Sequence, residues 1–128
     1  MPFISEPLDD IHEPKAAPED EYDLRIVKAD QRDSKAGNDM IALTLVFDDP
    51  SVDAPPFNHF LINPEGADED KKRMWSLEIK RFCAAFDVAE DFEAEDLVGE
   101  VGRGIFVTQE EGDDGVIRNR MRLPRLKE

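Results

Sequence analysis

The stretch SKAGNDMIALTLVF, Ser34–Phe47, changes character at a Gly-Asn pair and decides how the rest of the chain is interpreted. Its first residues are small, charged and turn-forming, whereas MIALTLVF alternates as a half-buried strand does. One face of that strand is predicted to be core: Ile41, Leu43, Leu45 and Phe47. The other face, which starts at Met40, is less polar than plain solvent exposure requires. The stretch therefore predicts a tight turn that leads directly into a strand.

Patterns on both sides of this stretch predict four further strands and one helix. The strands are YDLRIVKA (22–29), FNHFLIN (57–63), GIFVTQ (104–109) and VIRNRMRL (116–123). The helix, DKKRMWSLEIKRFCAAF (70–86), carries one apolar stripe that includes Trp75 and Cys83, and Asp68 is its predicted N-cap. The segment 30–38 is predicted to be the loop between the first two strands.

The predicted order, β1-β2-β3-α-β4-β5, is that of a mainly β, five-stranded OB-fold barrel with one principal helix. A single domain is expected over 22–128. Residues 1–21 are acidic and rich in proline, which favours an extended or disordered N-terminal arm. A generic small α+β domain remains the alternative architecture.

The charge is large but unevenly distributed. The formal net charge is -15 over 128 residues, which repels nucleic acid at long range. Residues 1–23 hold eight acids and one base, whereas residues 116–127 hold five bases and no acid. No apolar run approaches the ~20 residues of a membrane helix, and the N-terminus lacks a signal-peptide pattern. We therefore expect a cytoplasmic protein without membrane partners.

Signatures of catalysis are missing from the sequence. One cysteine and two histidines exclude an internal disulfide and a zinc site built on paired thiolates. Cys83 is expected to be a core residue, and we predict a non-enzymatic protein without cofactor or metal. One alternative is a Mg²⁺-dependent nuclease built on the acidic groups at 48–49, 68–70 and 113–114.

The last predicted strand carries three arginines at a spacing of two residues. Arg118, Arg120 and Arg122 therefore share one face, and at about 6–7 Å apart they match the phosphates of an extended single strand. The alternative is a solvated face that balances acids on neighbouring strands. Further positive charge is predicted near the first loop, from Lys28, Arg32 and Lys35.

Aromatic side chains would complete a site for single-stranded nucleic acid, because bases stack on them without sequence preference. The candidates are Phe57 or Phe60, whichever faces outward, and His59 beside them. Trp75 and Phe106 are expected to be core residues instead.

Three segments resemble a group of small bacteriophage and prophage proteins regarded as OB-fold single-stranded DNA-binding proteins. They are SKAGNDMIALTLVF, LVGEVGRGIFV and NRMRLPRL. In that group a K-x-G-N turn opens an apolar strand, an L-x-G-x-x-G segment leads into a late strand, and an Asn-containing last strand ends in L-P. The resemblance covers Tyr22 to Leu126.

The resemblance implies a protein that coats single-stranded DNA during phage replication or recombination, without catalysis, in the host cytoplasm. Replication or recombination proteins are further expected partners, and the sequence leaves a homodimer open. By analogy Lys35, Gly37 and Asn38 shape the first loop, with Lys35 touching phosphate. We hypothesise that the acidic arm competes with DNA for the basic face. The alternative function is an acidic DNA mimic that binds a basic partner protein.

Overall fold

The structure, a computed structural model, describes residues 15–33, 37, 39–64, 66 and 68–126. Its strands are β1 (Asp20–Asp33), β2 (Asp39–Phe47), β3 (Phe57–Ile62), β4 (Val101–Glu111) and β5 (Ile117–Arg122). Helix α1 (Glu69–Phe86) lies between β3 and β4, and a short 3₁₀ helix, Ala94–Leu97, precedes β4. The order of these elements is the one that the sequence predicted.

The five strands form one antiparallel sheet in the order β3-β2-β1-β4-β5. The two outermost strands, β3 and β5, approach each other and nearly close the sheet into a barrel. Across this gap the Arg120 guanidinium donates to the carbonyl oxygen of Asn58 at 3.5 Å. A nearly closed five-stranded barrel with one helix between β3 and β4 confirms the predicted OB-fold architecture.

Strand β1 belongs to both halves of the barrel and is longer than predicted. A bulge at Val27 shifts its register, and Leu24 pairs with both Phe47 of β2 and Gly102 of β4. Beyond the bulge β1 continues to Asp33 opposite β2. The sequence prediction ended the strand at residue 29 because both faces become polar there. Arg32, predicted for the loop, therefore lies on the strand.

The core lies between the inner faces of the strands and one side of α1. Leu43 and Leu45 are fully buried, and the other two predicted core positions of β2 pack against this cluster. Helix α1 adds Phe82, Cys83 and Phe86. The helix begins where predicted, because the Asp68 carboxylate accepts from the Lys71 N–H at 2.9 Å.

The buried side chain of Asn119 connects the start of the described chain to β5 through hydrogen bonds. The Asn119 side chain accepts from the Ala17 N–H at 2.8 Å and donates to the Ala17 carbonyl at 2.9 Å. The Gln109 amide donates to the same carbonyl at 2.8 Å. Ala17 is buried, so residues 15–21, which the sequence analysis assigned to the arm, pack on the barrel. The rest of that arm lies outside the described residues.

Candidate nucleic-acid interface

The outer face of β1, β2 and β3 presents three cross-strand rows of side chains. The strand registers define these rows as Lys28–Thr44–Asn58, Asp30–Ala42–Phe60 and Arg32–Met40–Ile62. Because side chains on directly paired residues lie close together, each row forms a continuous patch. The part of this face on β2 and β3 is the usual ligand surface of an OB fold.

Four apolar residues form the centre of this face, and we call them the apolar strip: Met40, Ala42, Phe60 and Ile62. Phe60 is 38% exposed and Ile62 is 41% exposed. Outward-facing strand positions usually carry polar side chains. The strip thus explains the weak polarity that the sequence shows on the outer face of the second strand.

The register of β3 resolves the choice between its two phenylalanines. Phe57 pairs with Leu45 and is 5% exposed, so it belongs to the core and is not a stacking residue. It packs against Phe47 with 5.5 Å between the ring centroids. Phe60 points outward. The sequence could not decide between them because an aromatic residue occupies both faces of this short strand.

His59, the third aromatic candidate on β3, faces away from the apolar strip. It pairs with Leu43, an inward position, and its side chain is 18% exposed. Its Nε2 atom lies 3.3 Å from the Glu78 Oε1 atom of α1, but the two atoms do not form a hydrogen bond. His59 is therefore placed at the barrel–helix boundary and not beside Phe60.

Basic side chains lie on both sides of the apolar strip. Lys28 and Arg32 of β1 are exposed on one side, and Arg120 reaches β3 from the other. Lys28 has an acidic neighbour on this face, because its Nζ atom is 3.3 Å from the Asp30 carboxylate. Of the predicted loop residues, Lys35 and Asn38 lie outside the described residues. Gly37 has a φ of 83°, a left-handed value that favours glycine.

The three arginines of β5 project from one face as predicted, but two of them have acidic partners. Arg118 forms two hydrogen bonds with the Asp114 carboxylate, at 3.1 and 2.7 Å. The Arg120 Nε atom lies 3.4 Å from the Glu110 carboxylate. The alternative of a face that balances neighbouring acids thus holds for both. A single exposed ion pair such as that of Arg120 contributes little to stability, so a phosphate competes with the Glu110 carboxylate readily.

Arg122 differs from the other two arginines. Its guanidinium lies 5.3 Å from the ring centroid of Phe106, a cation–π contact. In the described ranges Arg122 has no acidic partner within 4 Å. Phe106, predicted to be core, is only half-buried because Ile105 and Val107 fill the inward positions of β4. The sequence prediction missed this partly exposed aromatic ring. Because Ile105 and Val107 on either side of it face the core, strand alternation would have placed Phe106 on the outer face.

Over the described residues, the side chains that could serve in catalysis or metal binding do not cluster. Cys83 is buried, and burial raises the pKa of its thiol, with a smaller contribution from Glu90. Over the described ranges, no three His, Cys, Asp or Glu side chains converge as ligands for a metal ion. Neither helix in those ranges has both the length and the hydrophobicity needed to cross a bilayer.

No protein-family model matches the chain, and no curated protein sequence matches it. The outer face of the barrel and the residues that surround the apolar strip are therefore the features from which a function is proposed.

Proposed function

We propose that this protein is a non-enzymatic, sequence-tolerant single-stranded DNA-binding protein of the bacteriophage OB type. The observation that carries the proposal is the apolar strip, with Phe60 exposed between basic residues of β1 and basic residues of β5. Replication or recombination is the process in which we expect it to act, with proteins of those processes as further partners.

Phe60 is the residue on which a base would stack. A stacked base contributes about 1–3 kcal/mol by alanine substitution, and every base offers a π face. Met40 and Ile62 extend the apolar contact along the face. Binding through Phe60 is therefore expected to tolerate any sequence.

The phosphates of the strand would meet the basic side chains that flank the apolar strip. Lys28 and Arg32 lie on the β1 side, and Arg120 and Arg122 lie on β5. Guanidinium groups bind phosphate through paired N–H donors. Arg118 is less available to phosphate than these four residues, because its guanidinium already forms two hydrogen bonds with the Asp114 carboxylate.

The first experiment is fluorescence anisotropy of a labelled oligo-dT titrated with the full chain at about 50 and about 200 mM salt. A duplex of equal length serves as the control. We expect binding to the single strand that weakens with salt and exceeds binding to the duplex. Absence of binding to either DNA at low salt would contradict the proposal and favour the alternative of an acidic protein with a basic protein partner.

A matched pair of variants tests the role of Phe60. Because Phe60→Ala removes one stacked base, it should weaken oligo-dT binding by about 1–3 kcal/mol, roughly 5- to 150-fold. Val98→Ala removes a comparably exposed apolar side chain next to the 3₁₀ helix and should leave binding unchanged. Equal losses in the two variants would mean that the apolar strip is not the binding surface.

A further inference from the structure

A groove separates helix α1 from the ends of β3 and β5. Its volume is about 580 Å³, and most of its lining residues are apolar, among them Ile62, Met74, Trp75, Leu77, Met121 and Leu123. We call this the α1 groove. It lies where the barrel remains open, because in the described residues β3 pairs only with β2 and β5 only with β4.

The apolar lining of the α1 groove is unusually exposed for a protein with so many charges. Met74 is 72% exposed, and Leu77 and Ile62 are each about two-fifths exposed. Contiguous exposed apolar surface of this kind marks a binding site more often than isolated apolar residues do. The groove is therefore a surface that a further segment or partner would cover.

The polar side chains of the α1 groove would be complemented by hydrogen-bond acceptors and negative charge. Lys71, Arg81 and Arg122 line it, against one acid, Glu78. Three nearly inaccessible nitrogens beside it have no hydrogen-bond partner within the described ranges: His59 Nε2, Trp75 Nε1 and Arg81 Nε. A buried donor without an acceptor costs about 1–3 kcal/mol. An occupant rich in carboxylates and carbonyl groups fits these requirements.

The first 14 residues of this chain, MPFISEPLDDIHEP, have that chemistry. Apart from Met1, they contain four large apolar side chains: Phe3, Ile4, Leu8 and Ile11. They also contain four acids and no lysine or arginine: Glu6, Asp9, Asp10 and Glu13. The segment thus carries apolar side chains that match the apolar lining of the groove and carboxylates that match its basic residues.

The segment is long enough to reach the α1 groove. Ala17 is fastened to Asn119, and Lys15 lies beside Ile117 at the start of β5. Met121, which lines the groove, is four residues further along that strand, about 13 Å away at 3.3 Å per residue. Fourteen extended residues span up to about 46 Å, so the path around the barrel is also within reach.

We propose that residues 1–14 bind in the α1 groove of their own chain. The apolar side chains of the segment pack against Met74 and Leu77, while its carboxylates face Lys71, Arg81 and Arg122. The apolar strip and the groove share Ile62, and Arg122, which the proposed DNA site also uses, lines the groove. The test of this proposal requires no nucleic acid.

Trp75, the only tryptophan of the chain, lines the groove and reports on its occupancy. The measurement is acrylamide quenching of its fluorescence in the full chain. In the variant Leu8→Ser/Ile11→Ser the quenching constant should rise about twofold, because the indole loses the apolar cover that the segment provides. Val116→Ser, an exposed change on the β4–β5 hairpin, is the matched control and should have no effect.

A second variant tests the groove side of the contact. Because the Met74 side chain is highly exposed, Met74→Ser should not disturb the fold. In the natural chain it should raise the quenching of Trp75. It should add little in the Leu8→Ser/Ile11→Ser background, since interacting residues are not additive. Quenching that is unchanged in the Leu8→Ser/Ile11→Ser variant would overturn the proposal.

Two further outcomes would also overturn it. Protection of Trp75 that grows with protein concentration, from about 1 to about 50 µM, would assign the groove to the segment of a second copy. Protection by oligo-dT in the absence of any effect of the segment variant would assign the groove to nucleic acid instead. Concentration-independent protection that depends on Leu8 and Ile11 supports binding within one chain.

Discussion

Arg118 and Asp114 are joined by two hydrogen bonds across the turn of the β4–β5 hairpin. These bonds, with a further one from the Val116 N–H, lower the pKa of Asp114 to about 2 from an ordinary value of 3.8. Because folding lowers this pKa, the stabilising effect of the pair is complete above pH 3.8. It is lost as the pH falls through about 2.

The variant Arg118→Ala should therefore raise the pKa of Asp114 back toward 3.8. Carboxyl NMR titration of the two proteins measures this shift directly. Arg103→Ala removes an exposed arginine that faces Asp23 instead, and it should leave the pKa of Asp114 unchanged. An Asp114 pKa that stays near 2 without Arg118 would show that the backbone N–H alone holds the charge.

Phe57 and Phe60 show how far a single residue can be interpreted from sequence. Both belong to one short strand, and alternation alone gives two equivalent faces. The pairing of Phe57 with Leu45 places it in the core, where Phe60 would lie if the strand shifted by one residue. Only the contact with β2 therefore identifies Phe60 as the exposed aromatic residue.

At the scale of elements, the contact between α1 and β4 depends on a residue without a side chain. A Cβ atom at Gly102 would overlap the Ile105 side chain and lie 3.0 Å from the Phe86 ring. Gly102→Ala should destabilise the protein by about 1–3 kcal/mol, because buried Phe86 has no room to move. The loss appears as a lower midpoint in urea unfolding monitored by circular dichroism.

The control for this prediction is Ser76→Ala on the exposed side of α1. It should leave the midpoint unchanged or raise it slightly, since alanine favours helix. A Gly102→Ala protein as stable as the natural one would mean that α1 can shift away from β4 without loss.

Most elements were predicted from periodicity, and the errors have physical causes. Helix α1 was placed within one residue, because its apolar stripe and the Asp68 cap act locally. Strand β1 was ended too early, because pairing with β2 stabilises residues 30–33 although their side chains are polar. Trp75 was predicted to be core but is only partly buried and lines the α1 groove.

At the scale of the whole molecule, charge distribution decides the response to salt. The net charge of -15 opposes DNA at a distance, yet Lys28, Arg32, Arg120 and Arg122 surround the apolar strip. Four neutralised phosphates give a slope of about -2.8 for the logarithm of the affinity against that of the salt concentration. Titrations of oligo-dT at several salt concentrations measure this slope.

Variants assign that slope to particular residues. Arg32→Ala should make it less steep by about 0.7, the contribution of one phosphate on a single strand. Arg103→Ala, with a side chain 79% exposed on β4, should not change it. If affinity proved independent of salt, the basic side chains would have no part in binding.

The sequence by itself determined the order of the elements, the core face of β2 and the helix start, because periodicity and capping are local properties. It also determined that Arg118, Arg120 and Arg122 share a face, since alternation along one strand suffices. Tertiary structure alone decided that Phe60 faces outward, that acids engage two of these arginines, and that Asn119 fastens Ala17 to the barrel. The orientation of Phe60 and the position of Ala17 depend on contacts with residues distant in the chain, whereas the two arginine pairs depend on how the β4–β5 hairpin brings its own residues together.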